Sequence, residues 1–377
     1  MEKIKLMIVV GTRPEIIRLS EVIKECKKYF DVVLVHTGQN YDYKLNKVFF
    51  ENFDLGEPDH YLDSAGSHLG ETVGNIIKRS YELIEKEKPD ALLVLGDTNS
   101  CLSAYSAKRL KVPIFHMEAG NRCFDFNVPE EINRRVVDHI SDINLAYTEN
   151  ARRYLINEGL NKDFVYVTGS PMTEVLLKNA KAVDSSDILL QLGLKEKKYL
   201  VVSAHREENI DIPKHFTSLI EALNKVAEEF GMPMIFSTHP RTQKRIEAEG
   251  IFINSLIKNI EPFDFFEYIK LQKEAYCVLS DSGTLPEEAS ILNFPAVAIR
   301  TSTERPEALD AGSIVLGGID TNGVINAINI AVGTYDINKE NQVNDYKDIN
   351  VAEKVVKIIQ SYLQIVNYRI WNKNILD

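Results

Sequence analysis

Short, continuously apolar runs rich in valine and isoleucine alternate with longer amphipathic stretches along nearly the whole chain. In the first half the expected strands are Ile4–Val10, Val32–His36, Ala91–Leu95, Ile114–Met117, Ile143–Tyr147 and Phe164–Val167. Helix-like segments lie between them, among them Pro14–Tyr29, Gly70–Glu87 and Pro129–Ile140. The second half repeats the rhythm, with strands expected at Tyr199–Ser203, Met234–Ser237, Tyr276–Leu279, Ala296–Ile299 and Ile314–Leu316. Its expected helices include Lys214–Phe230, Leu285–Leu292 and Thr321–Val332. Apolar strands separated by helices imply parallel sheets covered on both faces.

Eleven strands are too many for one comfortable doubly wound sheet, so one sheet per half is the simpler reading. A chain of 377 residues agrees with it, at about 150 residues per domain. The expected organisation is a Rossmann-like domain over 1–178, a second over 190–350, and a C-terminal helical segment, 351–377, packing back on the first. The boundary is expected in the polar stretch 178–198.

Lys and Arg number 44 against 55 Asp and Glu, a net charge of −11. That balance disfavours a protein that coats nucleic acid. No apolar run reaches the roughly 18 residues needed to span a bilayer, and the N-terminal run reads as a strand, not a signal peptide. The four cysteines, Cys26, Cys101, Cys123 and Cys277, form no CxxC pair. Disulfides and a zinc site are therefore not expected, and a reducing cytoplasm fits.

The residues just past each strand are informative. The first strand ends in Gly11-Thr12-Arg13-Pro14-Glu15, and later ones in Gly96-Asp97-Thr98, Glu118-Ala119-Gly120 and Thr168-Gly169-Ser170. In the second half come Ala204-His205-Arg206, Thr238-His239-Pro240-Arg241, Asp281-Ser282-Gly283-Thr284 and Arg300 through Arg305. Ligands of parallel sheets bind outside the carboxyl ends of the strands, so two such rims facing each other would make an interdomain cleft. Turns and helix caps also favour Gly, Asp, Ser and Thr, but they need neither Arg nor His.

There is no Walker A sequence and no GxGxxG. Gly283 and Thr284, at the start of a helix, can still present backbone N–H groups to a phosphate. Glu288, in the first turn, either complements the helix dipole or binds ribose hydroxyls. Arg13, Arg18, Arg122, Arg134, His205, Arg206, His239, Arg241, Arg300 and Arg305 all fall on or near the rims. An acidic protein that gathers cations there expects an anionic ligand, and a diphosphate fits the number of donors.

Three carboxylates stand out. Asp97 and Glu118 sit at strand ends, and Glu130 comes directly after Pro129 at a helix start. Convergent acids of this kind suit acid/base chemistry. Asp97 could equally be an N-cap, and Glu130 a dipole partner paired with Arg134 four residues on. Glu118 has no such simple alternative. His116, inside an apolar strand, is expected to pack in the core.

GTRPE at 11–15, GDT at 96–98, EAG at 118–120, PEEINR at 129–134, AHREEN at 204–209, DSG…EE at 281–288 and TERPE at 303–307 together resemble the non-hydrolysing UDP-N-acetylglucosamine 2-epimerases. The resemblance implies the GT-B fold, two Rossmann-type doubly wound domains with an interdomain cleft. It also implies a cytoplasmic homodimer with a UDP-sugar substrate and no tightly bound metal or NAD. The implied reaction eliminates UDP across C1–C2 to a 2-acetamidoglycal, then adds UDP back after protonation on the opposite face. By position, Asp97, Glu118 and Glu130 match the family's essential carboxylates and His205 its essential histidine. Arg13 matches a first-loop arginine. Ser282, Gly283 and Thr284 would hold phosphates and Glu288 the ribose, with Tyr268 stacking on uracil.

Several segments depart from the usual pattern. Arg18 stands where most members have lysine, Gly120–Asp125 is unlike the usual AGLRT, and TGQNYDY at 37–43 replaces a histidine-containing segment. Gly66-Ser67-His68 lacks an arginine that helps bind an activating second UDP-N-acetylglucosamine, so such activation is not expected. AGNRCFD and TERPE are more similar to the branch that makes UDP-N-acetyl-L-fucosamine from UDP-2-acetamido-2,6-dideoxy-β-L-talose for capsule or O-antigen assembly. In that branch Phe124 and Phe126 are candidates to line an apolar pocket for the sugar's C6. A UDP-N-acetylglucosamine epimerase, a GT-B glycosyltransferase, a hydrolysing epimerase and a non-catalytic sensor are the competing readings.

Overall fold

The computed structural model describes residues 3–39, 43–238, 240–336 and 342–373. It contains two compact units: residues 1–175 with 348–377, and residues 176–347.

The first unit is built on a seven-stranded sheet of order β3-β2-β1-β4-β5-β6-β7. Its strands are β1 (Lys5–Val10), β2 (Asp31–His36), β3 (His60–Tyr61), β4 (Ala91–Leu95), β5 (Ile114–Met117), β6 (Ile143–Ala146) and β7 (Val165–Val167). Every pairing is parallel. β4 and β5 are buried along their whole length, as central strands covered by helices on both faces require. The helix Arg13–Tyr29 buries Ile16, Leu19, Val22, Ile23 and Cys26, the spacing of one helical face. Against it packs the helix Val351–Arg369, which returns to this unit from the far end of the chain.

The second unit carries a six-stranded sheet of order β10-β9-β8-β11-β12-β13. Its strands are β8 (Leu200–Ser203), β9 (Met234–Ser237), β10 (Ile257–Ile260), β11 (Cys277–Ser280), β12 (Ala296–Ala298) and β13 (Val315–Leu316). These too pair in parallel. The stretch 178–198, where the boundary was expected, holds two short helices, Ala180–Asp184 and Ile188–Leu192, and lies within the second unit, which begins at 176. Ile188 joins the second unit's core beside Tyr199 and Val201, so polarity there marks an outer face and not a hinge.

Both sheets wind identically. Strand order reverses between β1 and β4 in one and between β8 and β11 in the other. Such reversals open the crevice where doubly wound sheets bind ligands. Two strands escape sequence reading, β3 and β10. The first is two residues long and the second, IKNI, is half polar. Among the described residues, no helix is long and apolar enough to cross a membrane.

Candidate active site

In the first unit, a buried carboxylate ties the loops beyond β1 and β4 together. Glu15 Oε2 accepts hydrogen bonds from Gly11 N (3.1 Å), Thr12 Oγ1 (2.7 Å) and Thr98 Oγ1 (3.0 Å), and its Oε1 accepts from Ser100 Oγ. Burial pushes its pKa up to about 7, and the four donors pull against that rise. Arg13, on one of these loops, lies 5.5 Å from the centre of the Phe49 ring. Asp97, on the other, receives two nitrogens of Arg134 on Oδ2, Nε at 3.0 Å and Nη2 at 2.7 Å.

Glu118 ends β5 with φ at +62°, a left-handed conformation that costs a side-chain-bearing residue roughly 1–3 kcal/mol. Its Oε2 takes Nη1 of Arg18, and its Oε1 accepts from Asn121 Nδ2 at 3.2 Å. The turn continues through Gly120, with φ at +84° and no room for a side chain, since a Cβ there would stand 2.4 Å from the Ala151 carbonyl oxygen. Glu130 sits in the first turn of the helix Pro129–Ile140 and is half-buried. It makes no hydrogen bond or ion pair among the described residues. Arg134, the partner that the alternative reading gave Glu130, holds Asp97 and the fully buried Glu131 (Nη1 to Oε2, 3.2 Å). Residues three and four back along a helix are both neighbours, and the inward-facing acid won.

Arg122 proves to be an internal strut. It is 1% exposed, with Nη1 on Asp138 (2.7 Å) and on the Asn121 carbonyl (2.7 Å), and Nε and Nη2 on Glu158 (2.8 and 2.6 Å). Its reach toward a ligand, expected from the sequence, gives way to holding the 120–123 loop. His116 is buried, as expected for its strand.

The second unit has its own buried acid at the reversal. Asp281 accepts from the backbone N–H of His205 (3.1 Å to each oxygen) and of Arg206 (3.0 Å), and from Asn209 Nδ2 (3.0 Å). The ring of His205 stays half-exposed, with Nδ1 3.2 Å from Asp281 Oδ1. Arg206 donates through Nε to the Asp281 carbonyl (2.8 Å) and through Nη2 to Glu304 (2.9 Å). Arg300 takes the other Glu304 oxygen at 2.6 Å. Gly283 fits beneath this pair because a Cβ would come within 2.9 Å of Glu304 Oε1.

Ser282 Oγ and Thr284 Oγ1 lie 3.0 Å apart at the mouth of the helix Leu285–Leu292. Glu288, one turn in, accepts from Gln272 Nε2 at 2.8 Å. Tyr268 is half-buried, its hydroxyl pKa raised by burial and then by Glu288, against hydrogen bonds with Ser203 and Ser280. Arg305 is buried against Glu287 at 3.2 Å. His239 lies outside the described residues. Sequence reasoning missed Glu15, Glu131, Asp138 and, as an organiser, Asp281. Glu15, Glu131 and Asp281 lie inside quoted motifs and were passed over for their neighbours, while Asp138 lies four residues past PEEINR with no signal of its own.

Two parallel sheets, each with charged loops gathered at its reversal, are the Rossmann-type pair expected of a GT-B fold. A family model described as UDP-N-acetylglucosamine 2-epimerase matches residues 24–360. The structure of UDP-N-acetylglucosamine 2-epimerase from Rickettsia bellii is 45% identical, covering 99% of this chain and 100% of that one, with a TM-score of 0.91. The Methanocaldococcus jannaschii UDP-GlcNAc 2-epimerase, solved in complex with UDP-GlcNAc and UDP, is 35% identical over 95% of this chain and 100% of its own, with a TM-score of 0.88. UDP-2,3-diacetamido-2,3-dideoxy-D-glucuronate 2-epimerase from Pseudomonas aeruginosa is 34% identical over 335 residues, 87% of this chain and 92% of that protein. The chain belongs to the UDP-N-acetylglucosamine 2-epimerase family, a family of isomerases.

Proposed function

We propose that the chain inverts C2 of a UDP-N-acetylhexosamine, interconverting UDP-N-acetylglucosamine and UDP-N-acetylmannosamine. The reaction eliminates UDP across C1–C2 and adds it back to the 2-acetamidoglycal. The C1–O bond breaks as the C2 proton leaves, and its electron pair departs with UDP. Return of a proton to the opposite face of C2, with UDP re-adding at C1, completes inversion.

The observation that carries this reading is the set of three carboxylates beyond β4 and β5. Asp97 is oriented by Arg134 and Glu118 by Arg18, while Glu130 keeps an unengaged carboxylate. Inversion at one carbon needs proton-transferring groups on two faces, and a glycosyltransferase has no use for such a set. The second unit would take the leaving group. Ser282, Gly283 and Thr284 would bind phosphates at a helix N-terminus, with His205 and Arg206 beside them. Glu288 would take the ribose and Tyr268 the uracil. By its match to the family's first-loop arginine, Arg13 would also bind the diphosphate, and Arg305 and His239 would complete the basic set. The names of the relatives support UDP-N-acetylglucosamine as the sugar nucleotide, and by the same likeness we take the working state to be a cytoplasmic homodimer.

A second substrate reading is UDP-2-acetamido-2,6-dideoxy-β-L-talose, giving UDP-N-acetyl-L-fucosamine. It is favoured by Phe124 and Phe126, which are exposed just before Glu130 and both lie against Arg135 (5.6 and 5.3 Å from the guanidinium carbon to the ring centres). Such rings suit a methyl group better than a hydroxymethyl.

Proton NMR in D2O with each UDP-sugar in turn tests both readings. Deuterium at C2 with inversion and UDP still attached is expected, and the sugar that exchanges identifies the branch. Release of UDP only when an acceptor sugar is added would replace the epimerase reading with a transferase.

A further inference from the structure

His116 has no part in the steps above, yet its surroundings are those of a charged group. It lies in the middle of β5, in register with Val94 of β4 and Asn144 of β6, and it is fully buried. Nε2 is 2.8 Å from the Gly96 carbonyl oxygen, a hydrogen bond, and Nδ1 is 3.0 Å from Asp138 Oδ1, an ion-pair approach without hydrogen-bond alignment. A neutral imidazole carries one N–H and one lone pair. Here the lone pair would oppose a second acceptor, out of reach of water, whichever nitrogen held it. With Asp138 a carboxylate, as its contacts with Arg122 and the Gly120 N–H favour, a ring protonated on both nitrogens suits both neighbours.

The surrounding charges agree. Asp138, from the helix Pro129–Ile140, also accepts from Arg122 Nη1 at 2.7 Å, and Arg122 holds Glu158 through two further bonds. Arg135 also reaches Glu158 (3.3 Å) and Glu131 (2.9 Å), and Arg134 joins Glu131 to Asp97, so the connected network sets three arginines against four carboxylates, and a charged His116 ring balances it. Asp97, from the loop beyond β4, adds its own attraction. Burial opposes the charge, but Asp138, the Gly96 carbonyl and Asp97 outweigh it and raise the pKa.

We propose that His116 is a standing imidazolium and a positioning residue, clamping the two backbone turns that aim Asp97 and Glu118. On one side it pins the carbonyl of Gly96, whose next residue is Asp97. On the other it holds Asp138, whose oxygens each lie 3.2 Å from the N–H of Gly120, two residues past Glu118. Gly96 and Gly120 take positive φ (+69° and +84°) freely, but Glu118 between them does so at a cost (φ +62°), so its turn needs an external brace. The inference rests on the assignment of Asp97 and Glu118 to proton transfer.

The test uses the full-length enzyme labelled with 15N-histidine. Of the eight histidines, one is expected to keep both ring nitrogens protonated at a pH where solvated rings, which titrate near pH 6.5, have lost theirs. Its signal should vanish in His116→Gln, and in Asp138→Asn it should begin to titrate between pH 5 and 8. In His116→Gln, C2 deuterium exchange is expected to fall about tenfold or more, with the UDP Kd within about twofold of wild type. If no ring in the wild type stays doubly protonated at pH 8, the imidazolium is overturned, and this needs no variant to fold. A folded His116→Gln with full turnover overturns the positioning role. If Asp97→Asn also exchanges C2 at the wild-type rate, the reaction assignment fails instead, and the ring measurement stands by itself.

Discussion

Arg134 grips a single oxygen of Asp97 with two nitrogens while its third reaches Glu131, so one guanidinium fixes a rim carboxylate and a fully buried one together. Asp97 is thereby held in one rotamer. A carboxylate so constrained presents its oxygens in one direction, as the proton transfer proposed for it requires.

Asp97→Asn and Glu118→Gln are therefore expected to keep UDP binding and to lose turnover by about 10²–10⁴-fold. Calorimetry with UDP and C2 deuterium exchange measure the two properties separately. Loss of UDP binding in both variants would count against their roles in proton transfer.

Arg13→Ala is expected to weaken UDP binding by about one to two orders of magnitude, the worth of one charge-assisted hydrogen bond. An unchanged Kd removes Arg13 from the set that binds the diphosphate.

Gly120→Ala forces a Cβ to within 2.4 Å of the Ala151 carbonyl oxygen at φ +84°. The expected cost is about 3 kcal/mol from strain and overlap. Urea unfolding of the purified variant checks it, and a loss below about 1 kcal/mol would mean that the loop and the helix Glu149–Asn157 separate easily.

Glu15 links pH to stability. Its folded pKa, about 7, lies above the ordinary 4.5, so between those values the folded state binds more protons than the unfolded. The stability it contributes is full below pH 4.5 and is lost as pH rises through 7. Relative to Glu15→Gln, wild type should lose about 3 kcal/mol across that window. Parallel denaturant titrations at pH 4.5, 6 and 7.5 track the difference, and a constant offset between the two proteins would show that Glu15 does not titrate there.

The strands were legible because central strands of a parallel sheet are apolar on both faces. Ala91–Leu95 and Ile114–Met117 lie where their composition indicated. β3 and β10 were not, because edge strands need no apolar run: β10 exposes Lys258 and pairs on one side only. Asp97 and Glu118 stood out because strand ends meet the crevice. The acids that organise them did not, since a Glu after Pro, as in Pro14-Glu15, reads equally well as a partner for the helix dipole. Only the fold reveals that Thr98 and Ser100, more than eighty residues on, turn their hydroxyls toward it.

The first unit is drawn from residues on both sides of the second, because Val351–Arg369 packs on the helix that carries Arg13 and Arg18. During synthesis, the second unit thus emerges whole while the first still waits for its last element. For some 170 residues of elongation (about ten to thirty seconds at ordinary translation rates), the unit bearing the carboxylates exists with that flank of its first helix bare. A nonsense codon near residue 350 would spare every residue discussed above as a candidate acid, base or phosphate ligand, and still leave that unit unfinished.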